Sequence, residues 1–424
     1  MKRPSSLTFL TILCCLSAAI RIGAVLRAGE GSVRHMEDYD IAANVVAGRG
    51  YSIGDASHTY PTALKAPVYP LFLASVISIA PRSNPLVACS AVQHLLIAAC
   101  PLLLFIVLRR RLPLRAAVLS SLVLLLHTSY VVYPSTLEST NLFLPLSLCW
   151  LLAMRPVLSR PDHVARTMKW ALIAGVVSAL LVLCQPLSLL PVAGAWLLTL
   201  RRNKTAAFLL LACLTIGIAP WTIRNHIVFN EFVPFKSPIW MNVVSGFEVR
   251  SHGMTDKEFI DARTRRILDS VQTAGTDVER EHAYREHSLR IIRRDPAAYL
   301  EKCLVQAARY WTFPPSYNGT WMHPPFMVGR LLPVLFLGAM LLLSFRYLRA
   351  YPDVLVPMIL TLAVFTVVYA LTHVSNIRFK LDVEWLQCIA AGIVLHHLLP
   401  ERTGNPSEQA SSALSGIGPR SHAR

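Results

Sequence analysis

Long apolar runs recur through most of this chain, and they leave few folds open. A helix crosses a bilayer core of about 30 Å with about 20 apolar residues. Backbone in hydrocarbon must satisfy its own hydrogen bonds, so such runs become helices. Ten stretches are long enough or nearly so: 7–26, 86–108, 116–133, 141–157, 170–184, 187–200, 205–221, 326–345, 353–371 and 383–399. The expected fold is an all-α polytopic membrane protein with these ten spans. Composition agrees, with 54% hydrophobic and only 15% charged residues, against about 25% charged in soluble domains. Pro186 either ends one helix and starts the next or kinks a single one.

The net charge of +17 invites a nucleic-acid reading. The bases lie in short loops between apolar runs rather than in one stripe, which is the pattern of membrane topology. No nucleic-acid partner is expected. The run Ala66 to Ala80 carries Pro67 and Pro70 and would reach only about 22 Å as a helix, so it is read as lying on the membrane face. The basic loops at 109–115, 155–169, 201–204 and 346–349 then fall on one side with Lys2 and Arg3. The positive-inside rule makes that side cytoplasmic, together with both termini, in a multi-pass inner (plasma) membrane protein. The first span, following Met-Lys-Arg, is read as an uncleaved anchor.

The outer face then holds 27–85, the turn 134–140, the long stretch 222–325 and the turn 372–382. The chain divides into an N-terminal membrane module (1–221) whose first outer loop is 27–85, a mostly helical outer segment (222–325), C-terminal membrane helices (326–399) and a disordered tail (400–424). In the outer segment Thr255-Asp-Lys-Glu258 is a capping-box pattern, Asp295-Pro296 is an N-cap followed by proline, and 278–293 is charged and amphipathic. Eight of the nine cysteines lie in apolar runs, with no metal-ligand spacing, and are read as packing residues.

Chemistry-bearing residues gather on the outer side. Glu37, Asp38 and Asp40 follow the first span, and Glu138 is the lone carboxylate between Asp55 and Asp162. Carboxylates from separate segments can serve as a general base and its partner, or hold a divalent cation such as Mg²⁺ or Mn²⁺; they also work without one. A solvated juxtamembrane turn is the plainer account, above all for Asp40. Lys65, Arg224, Arg378 and Lys380 are bases against the positive-inside trend. They either clamp a phosphate or snorkel beside aromatics such as Trp221 and Phe379. Gly48-Arg-Gly50 lacks the strand–turn–helix setting of a nucleotide site and reads as a turn. A metal set of His35, Glu37 and His58 has no supporting spacing.

Four pieces, in this order, resemble bacterial GT-C type membrane glycosyltransferases, in particular the family-39-like and RgtA/B/C/D-like group. They are Glu37 with Ile41-Ala-Ala-Asn44 and Ala47-Gly-Arg-Gly-Tyr51; Lys65-Ala-Pro-Val-Tyr-Pro70; Pro220-Trp-Thr-Ile-Arg-Asn225; and Arg378-Phe379. The resemblance covers about residues 7–399. It departs from the family pattern at Glu37, where aspartate is usual, at Ala66, where the family has proline, and after Phe379, where a proline is missing.

The resemblance implies juxtamembrane helices in the first outer loop. It also implies sugar transfer from a polyprenyl-phosphate donor to a glycan, lipid or protein acceptor outside the cytoplasm. Glu37 or Asp38 would be the base, Glu138 the second acid, and Lys65, Arg224 and Arg378 the donor-phosphate contacts. Two other readings stand beside it: a transporter or flippase of a lipid-linked glycan, hinted at by Arg21 and Gln185, and a non-catalytic membrane scaffold. Convergence of Glu37, Glu138 and Lys65 on one cavity would separate an enzyme from a scaffold.

Overall fold

The computed structural model describes residues 5–55, 57–81, 83–158, 164–248, 275–312, 324–372 and 377–400. The capping-box pattern at 255–258 and the tail after Pro400 lie outside them. The fold is helical, and its strands among the described residues are one short hairpin, Ser52–Gly54 with Thr59–Pro61.

Seven described helices are long and apolar enough to cross a membrane: Ser6–Ala28, Pro85–Leu108, Thr140–Leu158, Val164–Cys184, Lys204–Phe229, Arg330–Tyr347 and Pro352–Thr372. The pair Leu114–Leu126 and Thr128–Ser135, bent by 56°, makes an eighth if it is one span. Two of the ten expected spans differ for physical reasons. Leu189–Arg202 has 14 residues and reaches only about 21 Å. Pro186 does end the preceding helix, and a single 3-10 turn, Pro186–Ser188, starts the next. Ile377–Leu398 is 22 residues long, but Arg378, Lys380, Asp382 and Glu384 crowd its first two turns. Those charges are met internally: Arg330 donates to Glu384 at 2.6 Å and Lys380 to Gln387 at 2.6 Å. A buried charge is tolerated only when paired or hydrogen-bonded in this way.

Small residues set the helix spacing. A Cβ on Gly392 would lie 2.0 Å from Ser120 Oγ, so Ile377–Leu398 packs directly on Leu114–Leu126. Gly175 meets Cys213 and Gly217 meets Ala179 in the same way, drawing Val164–Cys184 against Lys204–Phe229. Close backbone approach through small residues is how helices associate in lipid.

The bend after Leu126 frees backbone carbonyls, and Arg21 takes them. Its guanidinium donates to Tyr130 O at 3.1 Å and Leu125 O at 3.4 Å, with Arg21 itself buried. This charge in the first span braces a broken helix.

The first loop carries two helices, Glu37–Val46 and Val68–Ile79, with the hairpin between them. Val68–Ile79 has 12 residues, about 18 Å of helix and shorter than a bilayer core. Further along the chain, Asp277–Arg294 starts with a full capping box of Thr276 and Glu279. Pro296–Trp311 starts at Asp295, whose side chain accepts from Ala298 N at 2.8 Å.

Candidate active site

Local backbone pairing brings the two acidic segments together. Arg34 N donates to Ser135 O and Leu137 N donates to Arg34 O, each at 2.8 Å. This bridge sets the start of the Glu37–Val46 helix beside the turn that carries Glu138. Glu37, Asp38 and Asp40 occupy the helix's first turn, where the dipole favours acids. Asn44, in the Ile-Ala-x-Asn piece, donates to Ser52 O at 3.0 Å and Gly54 O at 3.1 Å. That pins the hairpin to the helix. Gly48 and Gly50 both have positive φ, at 76° and 71°, so they serve the turn between them. The Tyr51 hydroxyl then donates to the carbonyl of Lys65 at 3.0 Å.

The result is a lysine shared by two carboxylates. Lys65 Nζ lies 3.1 Å from Asp38 Oδ2 and 3.2 Å from Glu37 Oε2. The Asp38 side chain is 4% exposed and the Glu37 side chain 43%. Across the site Arg378 donates to Glu138 Oε2 at 2.7 Å. Asp40 faces away and meets His35 at 3.7 Å.

A small cavity opens between these pairs. Asp38, Lys65 and Arg378 line it, as do Thr140, Gln185, Lys236 and Asp382. Glu37 and Glu138 stand behind it, each touching a cation that lines it. Asp382 accepts from Thr140 Oγ1 at 2.7 Å, from Gln185 Nε2 at 2.7 Å and from the Tyr369 hydroxyl at 3.1 Å.

The electrostatics separate the two candidate bases. Lys65 is the main influence holding Glu37 below the ordinary glutamate value. Burial pushes Asp38 up, against the pull of Lys65. Burial also draws Lys65 down, but Asp38, Glu37 and Glu138 together more than offset it and the ammonium is stabilised. Lys236 is pushed down to about 8 by burial and then by the neighbouring Arg378 and Lys65.

Arg224 does not line the cavity. It donates to Thr62 O and Tyr51 O, each at 2.8 Å, and its guanidinium lies 5.1 Å from the Trp221 ring centroid and 5.5 Å from that of Tyr51. The other residues of its Pro-Trp-x-x-Arg-Asn piece also bind backbone. Trp221 Nε1 donates to Phe235 O at 2.5 Å, Thr222 Oγ1 to Pro234 O at 3.3 Å and Asn225 Nδ2 to Val233 O at 2.8 Å. Among the described residues no group of three or more His, Cys, Asp or Glu comes together as a metal site.

Sequence reasoning singled out Glu37, Asp38, Glu138, Lys65 and Arg378; of these Asp38, Lys65 and Arg378 line the cavity, while Glu37 and Glu138, expected on it, reach it only through their pairs with Lys65 and Arg378. It missed Asp382, Lys236, Thr140 and Tyr369, and it set Gln185 aside as a transporter hint. Asp382 stands four residues after Arg378, on the same helix face. Lys236 carried the signal used for Lys65, a base in a segment expected on the outer side.

No family model matches the chain, and no curated protein matches it. Solved structures do. Archaeal oligosaccharyltransferase AglB from Archaeoglobus fulgidus, in complex with an inhibitory peptide and a dolichol-phosphate, matches 98% of this chain and 53% of its own, at TM-score 0.50 and 14% identity. The Archaeoglobus fulgidus oligosaccharyltransferase in complex with Zn and sulfate matches 96% of this chain and 51% of its own, also at TM-score 0.50 and 14% identity. ArnT from Cupriavidus metallidurans bound to undecaprenyl phosphate matches 91% and 78%, at TM-score 0.44 and 14% identity. The chain thus spans about half the length of the oligosaccharyltransferase structures. The likeness is one of fold, a polytopic helical membrane architecture shared with the oligosaccharyltransferase structures.

Proposed function

We propose that this chain is an integral membrane glycosyltransferase that moves a sugar from a polyprenyl-phosphate donor to an acceptor on the extracytoplasmic face. The observation that carries the reading is the convergence of Asp38, Lys65 and Arg378 on one cavity. Three separate segments supply them, and a scaffold has no need to place them together. The oligosaccharyltransferase with the same fold was solved with a dolichol-phosphate and a peptide, which supports a lipid phosphate and an acceptor as the two ligand classes here.

In this reading Asp38 is the base. It lines the cavity, whereas Glu37 does not, and burial favours its protonated form, which suits it to accept a proton. The acceptor heteroatom attacks the anomeric carbon as Asp38 takes its proton. The bond from that carbon to the phosphate oxygen breaks, and the lipid phosphate leaves with the electron pair. Lys65 and Arg378 meet the charge that develops on it. Glu37 keeps Lys65 in place, and Glu138 does the same for Arg378. The Val68–Ile79 helix, with Leu71 and Ile79 exposed, offers an apolar wall for the prenyl chain. The site faces outward, with both termini cytoplasmic.

One displacement with one base inverts the anomeric centre. The test is to reconstitute the protein in liposomes with a panel of polyprenyl-phosphate sugars, then follow lipid-phosphate release and the product's anomeric configuration by NMR. The reading expects acceptor-dependent release with inversion. Retention would reject the single-displacement mechanism, and no consumption of any donor would reject the reaction class.

A further inference from the structure

The charges around the cavity do not all pair. Lys65 is shared by Glu37 and Asp38, and Arg378 is taken by Glu138. Lys236 also lines the cavity, half-buried, yet its ammonium has no ion-pair or hydrogen-bond partner among the described residues. Asp382 is met by three uncharged donors instead of by this lysine. A cation with no direct ion pair in a half-buried cavity is costly, and an anion that reaches it is favoured.

The chain goes to some length to hold that cation there. Trp221, Thr222 and Asn225 each donate to a carbonyl of the segment 233–235 just before it. Ser237 N, just after it, donates to Ala63 O at 2.9 Å. Arg224 fixes the other wall of this joint through Thr62 O and Tyr51 O. Asp277 reaches the same place, accepting from Ala63 N at 3.0 Å and from the Thr62 hydroxyl. A lysine on a loop would ordinarily turn to solvent; here the flank before Lys236 is tied to the Lys204–Phe229 helix and the flank after it to the chain that leads to Lys65.

We infer that Lys236 is a phosphate-binding residue of this site, contacting the non-bridging oxygens of the lipid donor, and that the Trp221–Asn225 segment positions it. This rests on the proposed function for the identity of the donor. It gives Arg224 a positioning role in place of direct phosphate contact. Binding then needs no disruption of the Lys65 and Arg378 pairs, because the first charge to meet the phosphate is one that no carboxylate holds. The low proton affinity of free Lys236 comes first from burial and then from the cations Arg378 and Lys65, and it would rise when an anion binds.

The experiment measures binding of farnesyl phosphate, farnesol and inorganic phosphate to the full-length protein in detergent, with wild type, Lys236→Met and Lys236→Arg. The expected result is about a tenfold loss of farnesyl phosphate affinity in Lys236→Met, the size of a lost charge-assisted contact. Lys236→Arg should restore most of it, and farnesol binding should not change. Inorganic phosphate that competes with farnesyl phosphate in wild type would assign the site to the phosphate group itself; failure to compete would assign it to the lipid-linked form. A second readout needs no variant. Acylation of Lys236 in the wild-type protein, followed by peptide mass spectrometry, should be slowed by farnesyl phosphate and not by farnesol. Equal affinity in wild type and Lys236→Met, with no protection from acylation, overturns the role of Lys236 and leaves the proposed function standing. Absence of farnesyl phosphate binding to wild type overturns both.

Discussion

Arg378 and Glu138, 240 positions apart in the chain, meet at 2.7 Å. The pair joins the start of the last helix to the turn before Thr140–Leu158, and Glu138 is almost fully buried. Removing one partner takes the direct counter-charge from the other in a mostly buried site, at a cost of about 3 kcal/mol. Glu138→Gln should therefore lower thermal stability in detergent clearly, and the Glu138→Gln/Arg378→Gln double variant should lose less than the sum of the singles. Additive losses would show that the two side chains do not support each other.

Arg21 makes a different structural prediction. It holds the carbonyls of Leu125 and Tyr130 at the bent helix. Arg21→Leu leaves both unsatisfied and should cost about 2 kcal/mol or more. Arg21→Lys should recover only part of this, since a single ammonium lacks the fork geometry. Thermal unfolding of purified protein checks both, and an unchanged midpoint in Arg21→Leu would contradict the bracing role.

Asn225 tests whether the Pro-Trp-x-x-Arg-Asn piece positions or contacts. Asn225→Ala loses the bond to Val233 O and should raise KM for the lipid donor several-fold with little change in kcat. A purely structural role would lower the amount of folded protein and leave KM as it was. A loss confined to kcat would place the piece at the reacting atoms instead.

The pH dependence has two parts of opposite sign. Lys236 sits at about 8 in the fold against 10.5 in an open chain. Its charged form is penalised by the fold, so its contribution to stability is poorest below pH 8 and improves as pH rises toward the open-chain value. Phosphate binding needs the charge and should weaken over the same interval, by about tenfold in all, the loss expected for Lys236→Met. A phosphodiester donor has no proton to lose in that window. The groups facing Lys236 are Arg378 and Lys65, which lower its proton affinity, and Asp38 and Asp382, which raise it. Lys65 is stabilised as the cation and stays charged there. Donor affinity measured from pH 7 to 10 should fall in wild type and stay flat in Lys236→Arg. A fall of equal size in both would assign the titration elsewhere.

The site was legible in the sequence where chemistry is carried by residues out of place. Lys65 and Arg378 stood out as bases in segments expected on the outer side, and Glu138 as a lone acid between apolar spans. Their pairing was not legible, because it depends on the backbone bridge between Arg34 and Thr136 and on the packing of Ile377–Leu398 against distant helices. Arg224 was legible as important but not in its role; only the structure places its donors on Tyr51 and Thr62 carbonyls. The spans were readable from apolar length, except where charge or brevity intervened. Ile377–Leu398 hides four charges by internal pairing, and Leu189–Arg202 is cut short by Pro186 and Asn203. The hairpin at 52–61 is set by positive-φ glycines and Asn44, a pattern too local for periodicity to reveal.

The central claim is that Asp38 takes the acceptor's proton while a lipid phosphate leaves. The most direct measurement compares sugar transfer from a radiolabelled polyprenyl-phosphate donor by wild type, Asp38→Asn and Glu37→Gln, each verified as folded. The account predicts transfer by wild type, a loss of about 10²- to 10⁴-fold in Asp38→Asn with donor binding retained, and a much smaller loss in Glu37→Gln. Full activity in Asp38→Asn, or a greater loss in Glu37→Gln, would contradict it.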